Sequence, residues 1–441
     1  MPTRRRVANE ADTLIIGAGA AGLAAAAELS SHDVAITVLE ARERIGGRIF
    51  TSHDSHTPVP IEFGAEFIHG KSPSVLGWLK ASNRAAIDAP QKRFTLERGR
   101  LQPGDDVFEA MRKRLERIGK PRQDIPFAEF LARHTRQLTP QLRDFARMLV
   151  EGFDAADATR VSTYEVLEEW SGAAAADAPT FRPLQGYDSL IRAIQKAFKP
   201  DRVHLRLGTL VRQIAWKRGA VEVEALQYGE PIRIQARRAI IALPLGVLQL
   251  PSGSPHAVRF DPPLRQKAAA FAHLAVGPVI KVMLRFAHAF WEEIADGKFN
   301  DVAFFHAPKA AFPTFWTSLP VRSPVLVAWA AGPNALRLEG STRNEILEHA
   351  LNALRTLFGP RVNYRADLEG FAYHDWQRDP LACGAYSYVL ANGRSARARL
   401  ARPIDDTLFF AGEAADTQGE AAAVGGALES GKRAALQVIG R

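Results

Sequence analysis

Residues 13–40, TLIIGAGAAGLAAAAELSSHDVAITVLE, constrain the fold more than any other part of this chain. An apolar run (Leu14, Ile15, Ile16) ends in Gly17-Ala18-Gly19-Ala20-Ala21-Gly22. An alanine-rich stretch follows, and a second apolar run, 34–39, closes on Glu40. The pattern predicts strand, tight turn, helix and parallel strand. Gly17 makes the turn, Gly19 lets the backbone approach a pyrophosphate, and Gly22 packs helix against sheet. The helix start, at Ala20 and Ala21, offers unpaired N–H groups and partial positive charge to an anion. Glu40, at the tip of the second strand, can hold both hydroxyls of an adenosine ribose. A lone GxGxxG is weak evidence, but here strand, glycines, helix, strand and acid fall in order. The segment binds a dinucleotide.

The chain continues Ala41-Arg42-Glu43-Arg44-Ile45-Gly46-Gly47-Arg48. Two adjacent glycines allow another close backbone approach, and Arg48 can present its planar fork to phosphate oxygens. Alone, the segment is a glycine turn with solvated arginines. Placed directly after Glu40, it resembles the ExxxxxGGR signature of FAD-dependent amine oxidases, which points to FAD rather than NAD.

At 441 residues the chain suits two domains. A single cysteine excludes an internal disulfide framework and fits a reducing, cytoplasmic setting. The opening MPTRRR before an apolar run imitates an export signal, yet cleavage there would destroy the cofactor site. No stretch is long and apolar enough to span a bilayer. The net charge of +9 comes from arginines scattered along the chain, without a basic block, so no nucleic-acid partner is expected. That charge repels polycations at long range unless acids near the entrance reverse the local potential; Asp154, Asp157 and Glu165 are candidates for such a rim.

Residues 72–198 are rich in helix formers, with a loop expected over 173–183. From 203 to 243 come short β-type runs (VHLRL, LVRQIAW, AVEVEAL, IRIQA, AIIAL), and TLFFA at 407–411 is a buried-strand candidate before a terminal helix. The expected fold is α/β: a discontinuous Rossmann-like FAD-binding domain (1–75, 199–262 and 396–441) with an inserted substrate domain of mixed sheet and helices (76–198 and 263–395).

Further segments extend the resemblance to the flavin-dependent amine oxidase family of polyamine oxidases, monoamine oxidases and lysine-specific histone demethylases. They include Gly64-Ala65-Glu66-Phe67-Ile68-His69-Gly70, Ala242-Leu243-Pro244-Leu245-Gly246-Val247-Leu248, Gly277 through Lys281 to Trp291, Gly384-Ala385-Tyr386-Ser387-Tyr388 and Phe410-Ala411-Gly412-Glu413. The resemblance implies that Gly64, Ala65, Glu66 and Phe67 pass beneath the flavin and that Val211 contacts adenine through its backbone. It places Trp376 near the ring, Gly412 and Glu413 near the ribityl and pyrophosphate groups, and Ala423 and Val424 at the pyrimidine end. Ala385 stands where monoamine oxidases carry the cysteine that tethers FAD, so FAD is expected to be non-covalent.

Strand alternation puts Lys281 on one face with Val279, Met283 and Arg285, away from Ile280, Val282, Leu284 and Phe286. A solvated strand lysine is the plain reading. The resemblance makes it instead the lysine that contacts flavin N5 through water and assists reoxidation by O2. Tyr386 becomes one wall of an aromatic cage whose second wall, near Ala423, is missing. His69 falls beside the substrate channel. The implied reaction is hydride transfer from an amine α-carbon to flavin N5, with imine hydrolysis to aldehyde or ketone and O2 reduced to hydrogen peroxide, as in polyamine oxidases. Alternatives are an L-amino-acid oxidase, another FAD-dependent dehydrogenase or a demethylase-like chromatin protein. The expected partners are a small amine and O2, for a monomer or homodimer; no metal ligand set is spaced in the sequence. Purified protein is expected to be yellow and to release flavin on denaturation, checked by its absorption spectrum; a colourless protein unable to take up FAD would overturn the reading.

Overall fold

A computed structural model describes residues 8–171 and 179–440. The opening arginines and most of the loop expected over 173–183 lie outside the described residues. Thr180–Pro183, at the end of that stretch, is a strand rather than loop.

The β-type runs of the sequence assemble one eight-stranded sheet. Its parallel part runs Val203–Arg206, Ile36–Leu39, Ala8–Ile16 and Glu230–Ile241, with Leu408–Phe410 parallel to the end of the last strand. Leu14, Ile15 and Ile16 are all buried, as strands covered on both faces require. The runs at 232–236 and 239–243 form a single strand, Glu230–Ile241. Its first half closes an antiparallel meander with Ala220–Gln227 and Thr209–Lys217. Its last residues join the parallel sheet.

Helix Ala20–Ser31 covers this sheet with small side chains. Its slenderness lets the C-terminal helix Val424–Val438 cross closely. A Cβ at Gly431 would collide with the carbonyl of Ala21, and one at Gly22 with that of Gly17. Helices Pro73–Ala81 and Asp188–Lys196 enter the same apolar cluster through Val75, Leu79, Leu190 and Ile191. The boundaries expected at 75/76 and 198/199 therefore cut across one continuous core, because helix Pro73–Ala81 packs on Val424–Val438 and Asp188–Lys196, and Asp188–Lys196 packs on Ala20–Ser31.

A second, seven-stranded sheet orders Leu368–Asp375, Val279–Phe286, Val325–Ala331, Thr314–Thr317, Phe304–His306, Arg93–Glu97 and Arg100–Pro103. The last two form a hairpin at the sheet edge, inside a region whose composition suggests helix. Arg98 and Gly99 supply its turn with positive φ. Along Val279–Phe286 the expected alternation holds. Ile280, Val282, Leu284 and Phe286 enter one apolar core, while Val279 and Met283 belong to two others on the opposite face. Helices Asp105–Ile118, Phe127–Arg133, Pro140–Gly152 and Thr163–Ser171 pack around Phe127, Phe130 and Val150 as a separate cluster.

Among the described residues no helix is long and apolar enough to cross a membrane, and no three His, Cys, Asp or Glu side chains are grouped to hold a metal. Gly431→Leu is expected to lower the unfolding free energy by about 1–3 kcal/mol through overpacking at Ala21. Calorimetric melting of the variant checks this, and an unchanged Tm would mean that the crossing tolerates separation.

Candidate active site

The two glycine loops lie side by side. Gly17 adopts φ +106°, and its N–H donates to the carbonyl of Leu39 at 2.8 Å. Gly46 and Gly47 also take positive φ, and the Gly46 N–H donates to the Ala18 carbonyl at 2.8 Å. A Cβ on Gly47 would come within 3.3 Å of the Gly19 Cα, whereas one on Gly19 would meet nothing nearer than the Gly46 carbonyl at 4.0 Å. The space beside Gly22 is filled by protein, while that beside Gly19 is open. The first-turn N–H groups of Ala20, Ala21 and Gly22 have no intrahelical acceptor. This cradle fits a pyrophosphate.

Glu40 does more than the sequence suggested. Its two carboxylate oxygens accept N–H bonds from Ala18 (2.8 Å) and Arg42 (2.9 Å), tying the glycine turn to the strand end past Ala41. Each oxygen keeps a lone pair for a ribose hydroxyl. Burial pushes this acid upward despite the two N–H bonds. The Glu40 carbonyl accepts from Thr209 N–H at 2.7 Å, which brings the strand of buried Val211 to the same corner.

The arginines also have partners within the protein. Arg42 pairs with Asp379 at 2.7 Å, and Asp379 in turn meets the His374 ring, 3.0 Å away. Burial opposes the Asp379 charge, but His374 and Arg42 hold the carboxyl well below the usual range. Arg48, expected on phosphate, instead donates through Nη1 to the Ala385 carbonyl (2.6 Å) and Glu413 (2.8 Å). Glu413 also accepts from the Ser387 N–H and hydroxyl. Burial works against its charge, and Arg48 and Arg397 more than offset it. A buried carboxylate requires a paired cation, and Arg48 supplies it. Gly412, at φ +132°, donates to the Ser430 hydroxyl at 2.9 Å. Ala423 precedes helix Val424–Val438 in extended conformation and makes no side-chain cap. The Val424 N–H therefore stands in an uncapped first turn.

Lys281 reaches the strip beneath this cradle. The residue is 2 % exposed, and its Nζ donates to the Gly64 carbonyl (3.2 Å) and to Glu66 (2.7 Å). The other Glu66 oxygen accepts from Trp316 Nε1 at 3.0 Å and pairs with Arg182 at 3.2 Å. Glu66 was expected to line the cofactor, but its carboxylate is committed to this network. Burial opposes its charge, and Lys281 and Arg182 pull the acid below its ordinary value. Ala65 packs on the dinucleotide-side core. Phe67 lies against the Arg182 guanidinium, 4.6 Å from its ring centroid. Trp376 donates to the Phe63 carbonyl at 2.9 Å and borders Gly64. Nearby Glu62 accepts from Tyr187 N–H and the Thr51 hydroxyl, each at 2.7 Å; burial pushes it up to about 7.

Tyr386, Ala385 and Trp376 share one apolar cluster, and the Tyr386 hydroxyl donates to the Phe153 carbonyl. His69 packs edge-on against Phe153, with ring centroids 5.1 Å apart; its side chain is open to the space before it, and desolvation by the surrounding protein lowers the imidazole to about 4, so that it is neutral at pH 7. Phe153 keeps 50 % of its surface open although the groups beside it are strongly desolvated, as expected of a wall around an internal space. Next to it, Asp154 hydrogen-bonds Glu169. Burial and the Glu169 charge push Asp154 far up, and burial pushes Glu169 up as well. Of the other expected rim acids, Asp157 turns back to cap its own loop at Thr159, and Glu165 is half-buried on the insert helix. Glu169, Arg182, Trp316 and His374 escaped the sequence reading. Arg182 and Trp316 act through Glu66, from a distant segment, and none of the four stands in a motif.

The chain belongs to the flavin-containing amine oxidoreductase family, whose model matches residues 20–439. It is 27 % identical to polyamine oxidase 4 of Oryza sativa subsp. japonica, over 99 % of this chain and 90 % of that protein. It is 26 % identical to lysine-specific histone demethylase 1 homolog 3 of Arabidopsis thaliana, over 98 % of this chain but only 30 % of that much longer protein. Among solved structures, putrescine oxidase bound to putrescine shares the fold with a TM-score of 0.80 and 21 % identity, covering 98 % of this chain and 100 % of the other. The protein is therefore a flavoenzyme acting on small-molecule amines.

The buried Glu62 yields a signed prediction. Its folded value lies above the unfolded one, so its contribution is complete below about pH 4.5 and is lost as pH rises through about 7. Glu62→Gln should recover ~1–3 kcal/mol of that loss between about pH 5 and 8. Denaturation at several pH values checks this, and parallel stability curves for the two proteins would refute it.

Proposed function

We propose that this chain is a polyamine-oxidase-type enzyme that holds FAD without a covalent bond. The dinucleotide form is supported by the paired glycine loops with Glu40 beside them. Non-covalent attachment is supported by Ala385 immediately before Tyr386, and by the Cys383 thiol facing the Pro380 carbonyl at 3.6 Å. On this reading the cofactor half comprises the three segments named from sequence plus helices Pro73–Ala81 and Asp188–Lys196, and the remainder binds substrate.

The observation that carries the reading is one wall on which Tyr386, Phe153 and neutral His69 meet the Asp154–Glu169 pair, with Lys281 at the Gly64 carbonyl. The bound flavin supplies a two-electron acceptor for the C–H bond beside nitrogen and passes those electrons to O2. Tyr386 gives the reacting amine an aromatic face. His69, uncharged, does not repel a cationic substrate. Asp154 and Glu169 bring two acids together, which suits a second ammonium group further along the substrate. On a chain of net charge +9 these acids reverse the local sign where the substrate enters. Apolar walls exclude water and align the α-carbon. Lys281 holds positive charge where O2 is reduced. The names of the rice relative and of the putrescine-bound neighbour favour the same substrate class.

A peroxide-release screen over diamines and polyamines, monoamines, amino acids and methylated-lysine peptides tests the assignment. Diamines or polyamines should dominate, and turnover of amino acids alone would select the L-amino-acid oxidase alternative. Asp154→Asn is expected to raise KM for diamines about tenfold, ~1.4 kcal/mol, while changing KM for monoamines little. Equal effects on both would remove the acid pair from substrate recognition. Lys281→Met should slow reoxidation by O2 more than it weakens substrate binding, as followed by stopped-flow absorbance.

A further inference from the structure

We propose that Glu66 is a positioning residue for Lys281: its carboxylate fixes the lysine ammonium at the Gly64 carbonyl. The inference rests on the role given to Lys281 above and extends it to a residue that the resemblance placed only in the strip beneath the flavin.

A lysine head sits on a flexible four-carbon stem, so burial alone does not choose among its rotamers. Here the choice is made by bonds. Lys281 Nζ is held at 2.7 Å by one Glu66 oxygen and at 3.2 Å by the Gly64 carbonyl, with the Trp316 ring centroid 5.3 Å away. The second Glu66 oxygen is fixed independently, by Trp316 Nε1 at 3.0 Å and Arg182 at 3.2 Å. Arg182 is anchored in turn, donating to the carbonyls of Thr317 (2.8 Å) and Leu319 (3.0 Å). Glu66 is therefore clamped from strands Thr180–Pro183 and Thr314–Thr317, while Lys281 approaches from strand Val279–Phe286. Its carboxylate is the fixed point and the lysine stem the adjustable one.

The charge arithmetic agrees. An unpaired ammonium in this interior would be costly, and breaking a buried pair leaves an uncompensated charge. Two cations against one carboxylate leave the cluster net positive. Glu66 thus holds Lys281 in place without cancelling the positive field that reoxidation uses. Oε1 of Glu66 is engaged twice, by Trp316 and Arg182, and Oε2 once, by Lys281.

The test compares wild type, Glu66→Gln, Glu66→Asp, Lys281→Met and the double variant Glu66→Gln/Lys281→Met. Photoreduced holoenzyme, prepared without any amine, is mixed with O2 and its reoxidation followed. Glu66→Gln is expected to slow reoxidation at least tenfold, and by more than it slows reduction by amine. Glu66→Asp should recover part of the rate. The double variant should be no slower than Lys281→Met alone. Denaturation of the four apoproteins of the Glu66→Gln and Lys281→Met cycle supplies the second readout, in which Lys281→Met should cost less stability when Glu66 is already glutamine. Reoxidation of Glu66→Gln at the wild-type rate, multiplicative slowing in the double variant, or additive stabilities would each overturn the proposal. Should Glu66→Gln fail to fold, Glu66→Asp and the double variant, in which Arg182 is the one cation left of the three charges, still decide it. A protein that takes up no flavin would defeat the function proposed above, while the apoprotein cycle would still judge the pairing.

Discussion

The structure depends on one close crossing, where helix Val424–Val438 lies against the backbone of Ala21 because Gly431 has no side chain. That contact brings the last segment of the chain onto the first. The Ser430 hydroxyl, one residue away, accepts from Gly412 N–H, so the crossing also sets the loop that carries Glu413. Glu413 draws in Arg48, and Arg48 grips the Ala385 carbonyl beside Tyr386. From a helix contact the chain of dependence runs to an aromatic wall of the site through hydrogen bonds of 2.6–2.9 Å.

Charge follows a second logic. The surface is basic overall, yet the interior near the site is organised around carboxylates. Glu40 ties a loop through backbone N–H groups, Glu413 and Asp379 pair with arginines, and Glu66 pairs with Lys281 and Arg182. Asp154 and Glu169 differ in kind: each lies beside another acid, and Arg397 offsets only part of the Glu169 charge. Buried acids with cationic partners hold the protein together; the paired acids are where a cationic substrate would find its counter-charge.

Much of this was legible in the residues. The glycine turn, the meander runs, the strand at 407–411 and the two faces of Val279–Phe286 are local patterns, and local sterics and side-chain alternation enforce them. The edge hairpin at Arg93–Glu97 and Arg100–Pro103 was not, since short edge strands carry weak alternation and borrow their stability from neighbours. Helices Pro73–Ala81 and Asp188–Lys196 look like any amphipathic segments. Only their packing assigns them to the dinucleotide-side core.

The sequence alone pointed to a dinucleotide cradle near the start of the chain, because turns and strand order are written in neighbouring residues; its resemblance to the amine oxidases pointed to Lys281, Tyr386 and His69. The tertiary structure decided what each charge does. It turned Arg48 to Glu413 and Glu66 to Lys281. Ion pairing in a desolvated interior is settled by which groups are brought within about 3 Å, and that proximity arises between segments hundreds of residues apart.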